Sequence, residues 1–176
     1  MEIEVRPYDP VWPVRFDAER ILLEDALSPW LLQGVHHIGS TAVPGLASKP
    51  IIDMMAGVRD LAGARAATEP LEKLGYTHAE HRPDALWFFR YSEPDWTHAS
   101  YGLHLTTPGS DLWIERLGFR DALRADPDLV EEYAELKSGL AREHTHDLKA
   151  YTDSKRAFVA LVLAGAGIEL HDWRGE

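Results

Sequence analysis

Residues 37–46 read HIGSTAVPGL, and after two further residues the chain continues with KPIID at 49–53. The first segment predicts a β-strand that ends in a tight loop at Gly39 and Ser40, because glycine and small polar residues there follow an apolar stretch. Such a turn presents backbone amides, small side chains and hydroxyl groups, and these groups bind phosphate. We therefore predict that Gly39, Ser40 and Thr41 hold the phosphates of a ligand.

The second segment places a carboxylate inside an apolar strand. Residues 51–58 are almost wholly apolar, which predicts a central strand covered on both faces, and Asp53 interrupts them. Twelve residues separate Ser40 from Asp53, which is enough for a connection and an adjacent strand. A carboxylate in such a strand is costly unless it is paired, hydrogen-bonded or metal-bound. Two interpretations stay open: Asp53 belongs to a cleft, or it hydrogen-bonds a neighbouring backbone turn.

The rest of the chain divides into a mixed first part and a helical end. Further strands are predicted at Ile3–Pro7, Val35–Ser40, Trp87–Tyr91 and Tyr101–Thr107. Helices are predicted at Pro13–Leu27, at Leu61–Leu74 with a stop at Gly75, and from Leu112 onward, with the last at about Lys149–Leu163. We expect an α+β (mixed α/β) fold in one domain over residues 1–176, with four or five strands flanked by helices and a helical segment from about residue 111. The aromatic run at 87–91 is interpreted as core rather than as a base-stacking platform.

Composition narrows the classes of function. The 176 residues carry 18 basic and 29 acidic side chains, a net charge of −11, and no cysteine. An acidic surface repels a phosphate backbone, so bulk nucleic acid is not an expected partner, and the lack of cysteine excludes thiolate metal sites. No apolar run is long enough to span a membrane, and the first residues lack the features of a signal peptide. We therefore expect a cytoplasmic protein.

Several blocks of sequence, spread over nearly the full length, resemble the GrpB family of small proteins, which is grouped with the nucleotidyltransferase superfamily. They are Pro7-Tyr8-Asp9-Pro10 with Trp12 and Phe16, residues 37–45, residues 49–53, Phe119-Arg120-Asp121 with Leu123, Tyr133 with Leu136 and Lys137, and Tyr151 with Lys155 and Phe158. The resemblance implies a nucleotidyltransferase-like fold whose C-terminal helical part closes a cleft. It also implies that a nucleoside triphosphate binds with Mg²⁺ and that a nucleotidyl group passes to a small-molecule acceptor.

The metal ligands that this superfamily uses are incomplete in this chain. Two-metal transfer normally needs two carboxylates that alternate on one strand, but two positions after Asp53 stands Met55, whose thioether is a poor ligand for Mg²⁺. The family that this chain resembles has a His-x-His pattern on a later strand. Here the first of the two histidine positions is Gly102 and the second is His104. The resemblance implies Asp53 and His104 as catalytic residues and metal ligands, with Mg²⁺ bound only together with the nucleotide.

Basic and aromatic residues complete the predicted site. Lys49 precedes Asp53 by four residues, and Tyr151 and Lys155 are spaced to share one face of a helix. With Arg90, these residues are assigned to nucleotide binding, although solvated lysine side chains are an alternative interpretation. The sequence also leaves open a nucleotide-binding module without catalysis, a different reaction on the same scaffold, and the oligomeric state.

Overall fold

Five strands form one mixed sheet in the computed structural model, which describes residues 5–92, 95–144 and 146–171. The strands are β1 Leu31–Ile38, β2 Ile52–Val58, β3 Thr77–Arg82, β4 Ala85–Ser92 and β5 Asp95–Thr106. Their order across the sheet is β1-β2-β5-β4-β3. Strands β2 and β5 run parallel, while the other neighbours run antiparallel. The predicted α+β fold with a mixed sheet is confirmed.

Helices flank this sheet and fill the end of the chain. They are α1 Val11–Leu27, α2 Leu61–Ala64, α3 Thr68–Lys73, α4 Asp111–Ala125, α5 Pro127–Glu143, α6 Leu148–Asp153 and α7 Arg156–Gly165, with 3-10 turns at Ser40–Ala42 and Arg65–Ala67. The start of α5 follows from local chemistry, because Asp126 accepts hydrogen bonds from the amides of Asp128 and Leu129 and Pro127 occupies the first turn. In the described part of the chain, no helix is long and apolar enough to cross a membrane.

The side chains of β2 alternate between two faces that are covered differently. Ile52, Met54 and Ala56 belong to a core that also contains buried residues of α1, α2 and α3. We call this side of the sheet the closed face. Met55 instead packs with Leu112 and Trp113 of α4, and a period of two places Asp53 on this same side. We call this side the cleft face, because it carries the candidate site described below.

The segment between β1 and β2 packs on the C-terminal helices. Val43 and Leu46 are buried against Leu123 of α4 and Tyr133 of α5, with Phe119 and Phe158 packed around them. The Phe158 ring of α7 stacks on the Tyr133 ring at a centroid distance of 5.1 Å. The C-terminal helices therefore fix the loop that follows Gly39. They lie beside the start of β2, which contains Asp53.

Some predicted elements differ from the structure. Strand β3 was not expected, because its residues, THAEHR, are mostly polar and give no clear alternation. The predicted last helix is two helices, with Lys155 as the residue before α7, so Tyr151 and Lys155 do not lie on one continuous helix. The predicted helix at 61–74 is divided into α2, a 3-10 turn and α3. Of the predicted first strand, residues 1–4 lie outside the described residues, and Arg6 forms an isolated bridge with Ser48.

Candidate functional site

The turn after β1 brings the predicted phosphate-binding residues to Asp53. Ile38, the last residue of β1, pairs with Asp53, and Gly39 follows with a φ of 70°. A side chain at position 39 would be strained in this conformation, and its Cβ would lie 2.8 Å from Asp53 Oδ2. Glycine is therefore required here both by the backbone and by the adjacent carboxylate.

The 3-10 turn at 40–42 leaves two amides outside its own hydrogen bonding. Its first bond runs from the Ala42 amide to the Gly39 carbonyl at 3.2 Å, so the Ser40 and Thr41 amides precede it. The Thr41 hydroxyl, in contrast, is buried, donates to the Ile51 carbonyl at 3.0 Å and lies 3.0 Å from His37 Nε2. The prediction that the Thr41 side chain binds phosphate is therefore corrected, since that hydroxyl ties the turn to the start of β2.

The imidazole of His37 also helps to tie the turn to the start of β2. Burial, followed by repulsion from Arg124 and Arg120, lowers the pKa of His37 to about 4, so the imidazole is neutral near pH 7. A neutral ring whose Nε2–H donates to Thr41 fits the hydroxyl's own donation to Ile51. On the other side, α4 holds the same segment: Arg120 donates to the His37 carbonyl at 3.0 Å and Arg124 donates to the Ala42 carbonyl at 2.8 Å.

A second glycine stands on the other side of the Asp53 carboxylate. Gly102 of β5 pairs with Asp53, and a Cβ at position 102 would lie 2.8 Å from Asp53 Oδ1 and 3.8 Å from Trp87 Nε1. The two carboxylate oxygens therefore lie against two positions at which any side chain would displace them. The absence of a side chain at Gly102 leaves a slot between the Asp53 carboxylate and the Trp87 indole.

Cations from three different parts of the chain surround Asp53. Burial raises the pKa of Asp53, and the positive charges of Arg116, Lys49 and Lys155 oppose this shift. The aromatic ring of buried Tyr151 supports both lysines, with Lys49 Nζ 5.5 Å and Lys155 Nζ 4.3 Å from its centroid. The structure thus brings Lys49, Tyr151 and Lys155 together beside Asp53, with Tyr151 as the support of the two lysines.

Lys137 adds a further positive charge to this cluster. It is 2% exposed, donates to the Ala47 carbonyl, and lies 4.8 Å from the centroid of the Tyr133 ring. Burial, followed by repulsion from Lys155 and Lys49, lowers its pKa to about 7, and burial with the same kind of repulsion lowers the pKa of Lys155 to about 8. The Ser40 side chain hydrogen-bonds Tyr133, and burial raises the pKa of this tyrosine.

We call Lys49, Arg116, Lys137 and Lys155 the cation cluster. Arg116 has an acidic neighbour in Glu115, at 3.7 Å. Lys49 and Lys155 attract the Asp53 carboxylate, and both repel Lys137. A positive cluster in a chain of net charge −11 is unusual, and its lysines repel each other. A bound anion would relieve that repulsion.

Arg90 does not belong to this site, which corrects its assignment to nucleotide binding. Its guanidinium pairs with Glu19 of α1 at 2.5 Å, donates to the Leu74 carbonyl at 3.2 Å and lies over the rings of Tyr76 and Tyr101 at 5.1 and 4.5 Å. Glu19 and Tyr76 are buried on the closed face. Arg90 is therefore an ion-pair partner on the opposite side of the sheet from Asp53.

His104 shares the cleft face with Asp53 but lies one row further along the sheet. It pairs with Met55 on β2 and with Trp87 on β4, and its ring centroid is 6.4 Å from that of Trp87. Nowhere in the described ranges do three His, Cys, Asp or Glu side chains gather as a metal-ion site. The residues present therefore do not form a metal site from protein ligands alone, and metal binding by Asp53 and His104 stays a prediction.

Sequence reasoning missed Arg116 and gave Lys137 and Tyr133 no role in the site. For Lys137 and Arg116, the helical pattern of the sequence contains a signal that could have found them. Lys137 falls between Tyr133 and Leu140, and Arg116 falls four residues after Leu112, so each basic residue interrupts the apolar stripe of its helix. A basic residue inside an apolar stripe either extends to solvent or meets an anion, and only the fold distinguishes these cases.

Comparisons with known proteins place the chain among small bacterial relatives. A UPF0157 protein of Halalkalibacterium halodurans is 37% identical over 166 residues, covering 93% of this chain and 82% of that protein. The crystal structure of the conserved protein GrpB from Enterococcus faecalis superposes with a TM-score of 0.81 at 29% identity, covering 93% of this chain and 96% of the other.

Two further matches are a solved structure with a similar fold and a larger protein that contains a region similar to this chain. Cid1, solved in complex with its short product ApU, has a TM-score of 0.54 at 16% identity and covers 90% of this chain and 50% of that one. This likeness shows a nucleotidyltransferase-like fold. A dephospho-CoA kinase of Mycolicibacterium paratuberculosis is 32% identical over 178 residues, which cover 87% of this chain and 43% of that protein. The profile of the family described as GrpB protein matches residues 2–164, and the chain belongs to this family.

Proposed function

We propose that the chain binds a nucleoside triphosphate in the cleft beside Asp53 and transfers its nucleotidyl group to a small-molecule acceptor. The observation that carries this proposal is the cation cluster next to the Gly39 turn, in a protein that is otherwise acidic. A triphosphate supplies the negative charge that the cluster lacks. The nucleotidyltransferase-like fold supports this reading, and it is the general kind of function that the distant similarity favours.

The residues divide into those that hold phosphate and one that reacts. Lys49 and Lys155 stabilise the phosphates, with Arg116 beside them, and the Ser40 hydroxyl and the amides of the 40–42 turn bind phosphate oxygens. Asp53, whose pKa burial raises, accepts a proton from the hydroxyl of the acceptor. The bond from that oxygen to the α-phosphorus forms, the bond to the leaving pyrophosphate breaks, and the cations take up the charge of the pyrophosphate.

Magnesium enters this proposal only with the nucleotide. The chain offers Mg²⁺ one carboxylate, Asp53, so the ion would take most of its ligands from phosphate oxygens and water, and its positive charge would add to that of the lysines. We therefore propose that the cation cluster supplies much of the charge that a second metal ion supplies in a two-metal site.

A second candidate function is a nucleotide-binding module without catalysis. Asp53 is the one carboxylate that β2 offers to a metal ion. The next side chain on the same face of β2 is the apolar Met55, which supplies no second ligand, and this favours a module without catalysis. Among the relatives, a region similar to this chain makes up less than half of a protein named dephospho-CoA kinase. A binding module attached to a separate kinase is one arrangement that this length relation allows.

Calorimetric titration tests the binding step. We expect ATP, GTP, CTP or UTP to bind the wild-type chain, more tightly with Mg²⁺ than without. Lys155→Ala is expected to weaken binding about 10- to 100-fold, because a hydrogen bond to a charged group contributes about 1.5–3 kcal/mol. The matched control is Lys73→Ala, which removes a lysine that is 72% exposed on α3 and is expected to leave affinity unchanged.

Phosphorus NMR then separates the two candidates. Release of pyrophosphate in the presence of hydroxyl-bearing acceptors, with dephospho-CoA included as a probe, supports transfer. Nucleotide binding without pyrophosphate release for any acceptor favours the binding module. If no nucleotide binds the folded wild-type chain, or if Lys155→Ala and Lys73→Ala have the same affinity as wild type, the proposed function is wrong.

A further inference from the structure

Three aromatic side chains line the cleft face along β4. Leu86 and Phe88 are buried in the core of the closed face, and the residues that alternate with them are Trp87, Phe89 and Tyr91. Trp87 and Phe89 are half-buried and Tyr91 is 40% exposed. The ring centroids are 5.3 Å apart for Trp87 and Phe89 and 5.5 Å apart for Phe89 and Tyr91. We call these three residues the aromatic ladder, and its exposure corrects the interpretation of this whole run as core.

The aromatic ladder stands directly across Gly102 from Asp53. Gly102 pairs with Asp53 on β2 and with Phe89 on β4, so all three positions lie in one row of the sheet. A Cβ on Gly102 would touch both Asp53 Oδ1, at 2.8 Å, and Trp87 Nε1, at 3.8 Å. The slot above Gly102 is therefore bordered by a hydrogen-bond acceptor on one side and an indole N–H on the other.

The cation cluster and the aromatic ladder lie on different sides of Asp53. The positive charges come from the segment after β1 and from the C-terminal helical part, beside strands β1 and β2. The ladder lies on β4, beyond β5. In an in-line transfer, the attacking hydroxyl approaches the α-phosphorus from the side opposite the leaving pyrophosphate. If the cations hold the pyrophosphate, the acceptor comes from the side of the ladder.

We propose that the aromatic ladder is the acceptor subsite, and that it binds an uncharged molecule with a flat ring and a hydroxyl group, which reaches Asp53 through the slot above Gly102. This inference rests on the proposed function and names its second substrate class. An uncharged ring fits because the ladder offers π-faces and the nearby positive charges are committed to the triphosphate. The hydroxyl oxygen bonds to the α-phosphorus as pyrophosphate leaves, and its proton passes to the Asp53 carboxylate.

Saturation-transfer NMR with adenosine as the probe tests the subsite. The titration is run with a saturating non-hydrolysable nucleoside triphosphate, so that adenosine cannot occupy the nucleotide site. We expect adenosine to bind wild type, and Tyr91→Ala and Phe89→Leu to weaken it at least about 5-fold while triphosphate affinity changes less than about 2-fold. Gly102→Ala, which fills the slot and presses on Asp53 Oδ1, is expected to stop transfer. The matched control is Val14→Ala, an exposed apolar residue of α1, which is expected to change neither affinity.

Three results would overturn the inference. One is the absence of adenosine binding to wild type, and another is equal adenosine binding by wild type and both ladder variants. The third is a loss of triphosphate affinity in Tyr91→Ala that matches the loss for adenosine, since the ladder would then hold the base of the nucleotide itself. Failure of the proposed function gives a different result, because then no triphosphate binds. Adenosine titrated without triphosphate still measures binding at the aromatic ladder in that case. Circular dichroism of each variant identifies any that fail to fold, and Tyr91→Ala, at the most exposed position of the ladder, keeps the test decisive.

Discussion

Two charged clusters lie on opposite faces of the same sheet, and their charges are balanced differently. On the closed face, Arg90 pairs with Glu19, which also accepts a hydrogen bond from the Tyr76 hydroxyl at 2.9 Å. On the cleft face, the Asp53 carboxylate faces the positive charges of Arg116, Lys49 and Lys155. The closed-face pair neutralises itself and needs no further partner. The cleft-face cluster is positive, and the missing negative charge is what a ligand would bring.

This difference separates charges that support the fold from charges that serve a ligand. A buried pair is satisfied inside the protein, and removing one partner leaves the other charge uncompensated. A cluster of like charges lowers stability and persists where binding gives a benefit in return. The comparison therefore makes opposite predictions for the two sites: substitutions on the closed face change stability, and substitutions on the cleft face change binding and turnover.

The largest effect is expected for Asp53→Asn. Asparagine keeps the size of the side chain but accepts no proton, so nucleotidyl transfer is expected to fall about 10²- to 10⁴-fold, the usual contribution of a general base. The measurement is pyrophosphate release with an acceptor that supports transfer by the wild-type chain. Asp17→Asn, on the exposed side of α1, is the control and is expected to keep full activity. Retained transfer by Asp53→Asn would contradict the role of this carboxylate.

The second effect concerns the closed face. Glu19→Ala removes one partner of the buried pair and leaves the Arg90 guanidinium without its carboxylate, so the free energy of unfolding is expected to fall by about 3–5 kcal/mol. Urea denaturation measures this loss. Nucleotide affinity of the folded fraction is expected to stay at the wild-type value, since Arg90 lies across the sheet from Asp53. Adding Arg90→Leu to Glu19→Ala is expected to recover part of the lost stability, and no recovery would argue against an uncompensated charge as the cause.

These two clusters also mark how far sequence reasoning reaches. The apolar run at 51–58 and the break at Gly39 were sufficient to predict β2, the turn and the face that Asp53 shares with Met55, because these depend on local periodicity. Whether that face belongs to a cleft stayed open. Arg90 was assigned wrongly because its partner Glu19 is 71 residues away in the sequence. Lys137 looked like a helix-face residue, and its contact with the Ala47 carbonyl spans 90 residues. Which charge meets which partner is set by the packing of distant segments, and no local pattern records it.

A smaller effect is expected for Gly39→Ala, in which two costs combine. A non-glycine residue at a φ of 70° and a ψ of −173° costs about 1–3 kcal/mol, and the new Cβ would press on Asp53 Oδ2. We expect the free energy of unfolding to fall by about that amount, and nucleotide affinity to fall because the carboxylate moves. A substitution that only hindered the approach of phosphate to the turn would lower affinity and leave stability unchanged. Thermal unfolding and calorimetry measure the two losses. Gly139→Ala, a helical glycine with open space around it, is the control and is expected to be neutral or stabilising.

The smallest effect is a pH dependence of nucleotide binding. Burial and mutual repulsion lower the pKa values of Lys137 to about 7 and Lys155 to about 8, so the free protein loses positive charge as the pH rises through this range. Nucleotide affinity is therefore expected to fall between about pH 6.5 and about pH 9, with uptake of protons on binding. The unfolded chain holds these protons up to the ordinary lysine pKa of 10.5, so the same shifts make the free protein more stable as pH rises from about 7 toward that value.

Lys155→Arg sharpens this test, because an arginine stays protonated across the whole range and is expected to flatten the fall in affinity. Calorimetry in buffers of different ionisation enthalpy measures both affinity and proton uptake. Lys73→Ala, far from the cluster, is expected to keep the wild-type profile. A wild-type affinity that is flat from about pH 6.5 to about pH 9 would mean that the lysines are not the groups that meet the phosphates. The cleft-face cluster would then resemble the closed-face pair only in being a set of charges that the fold holds without a ligand.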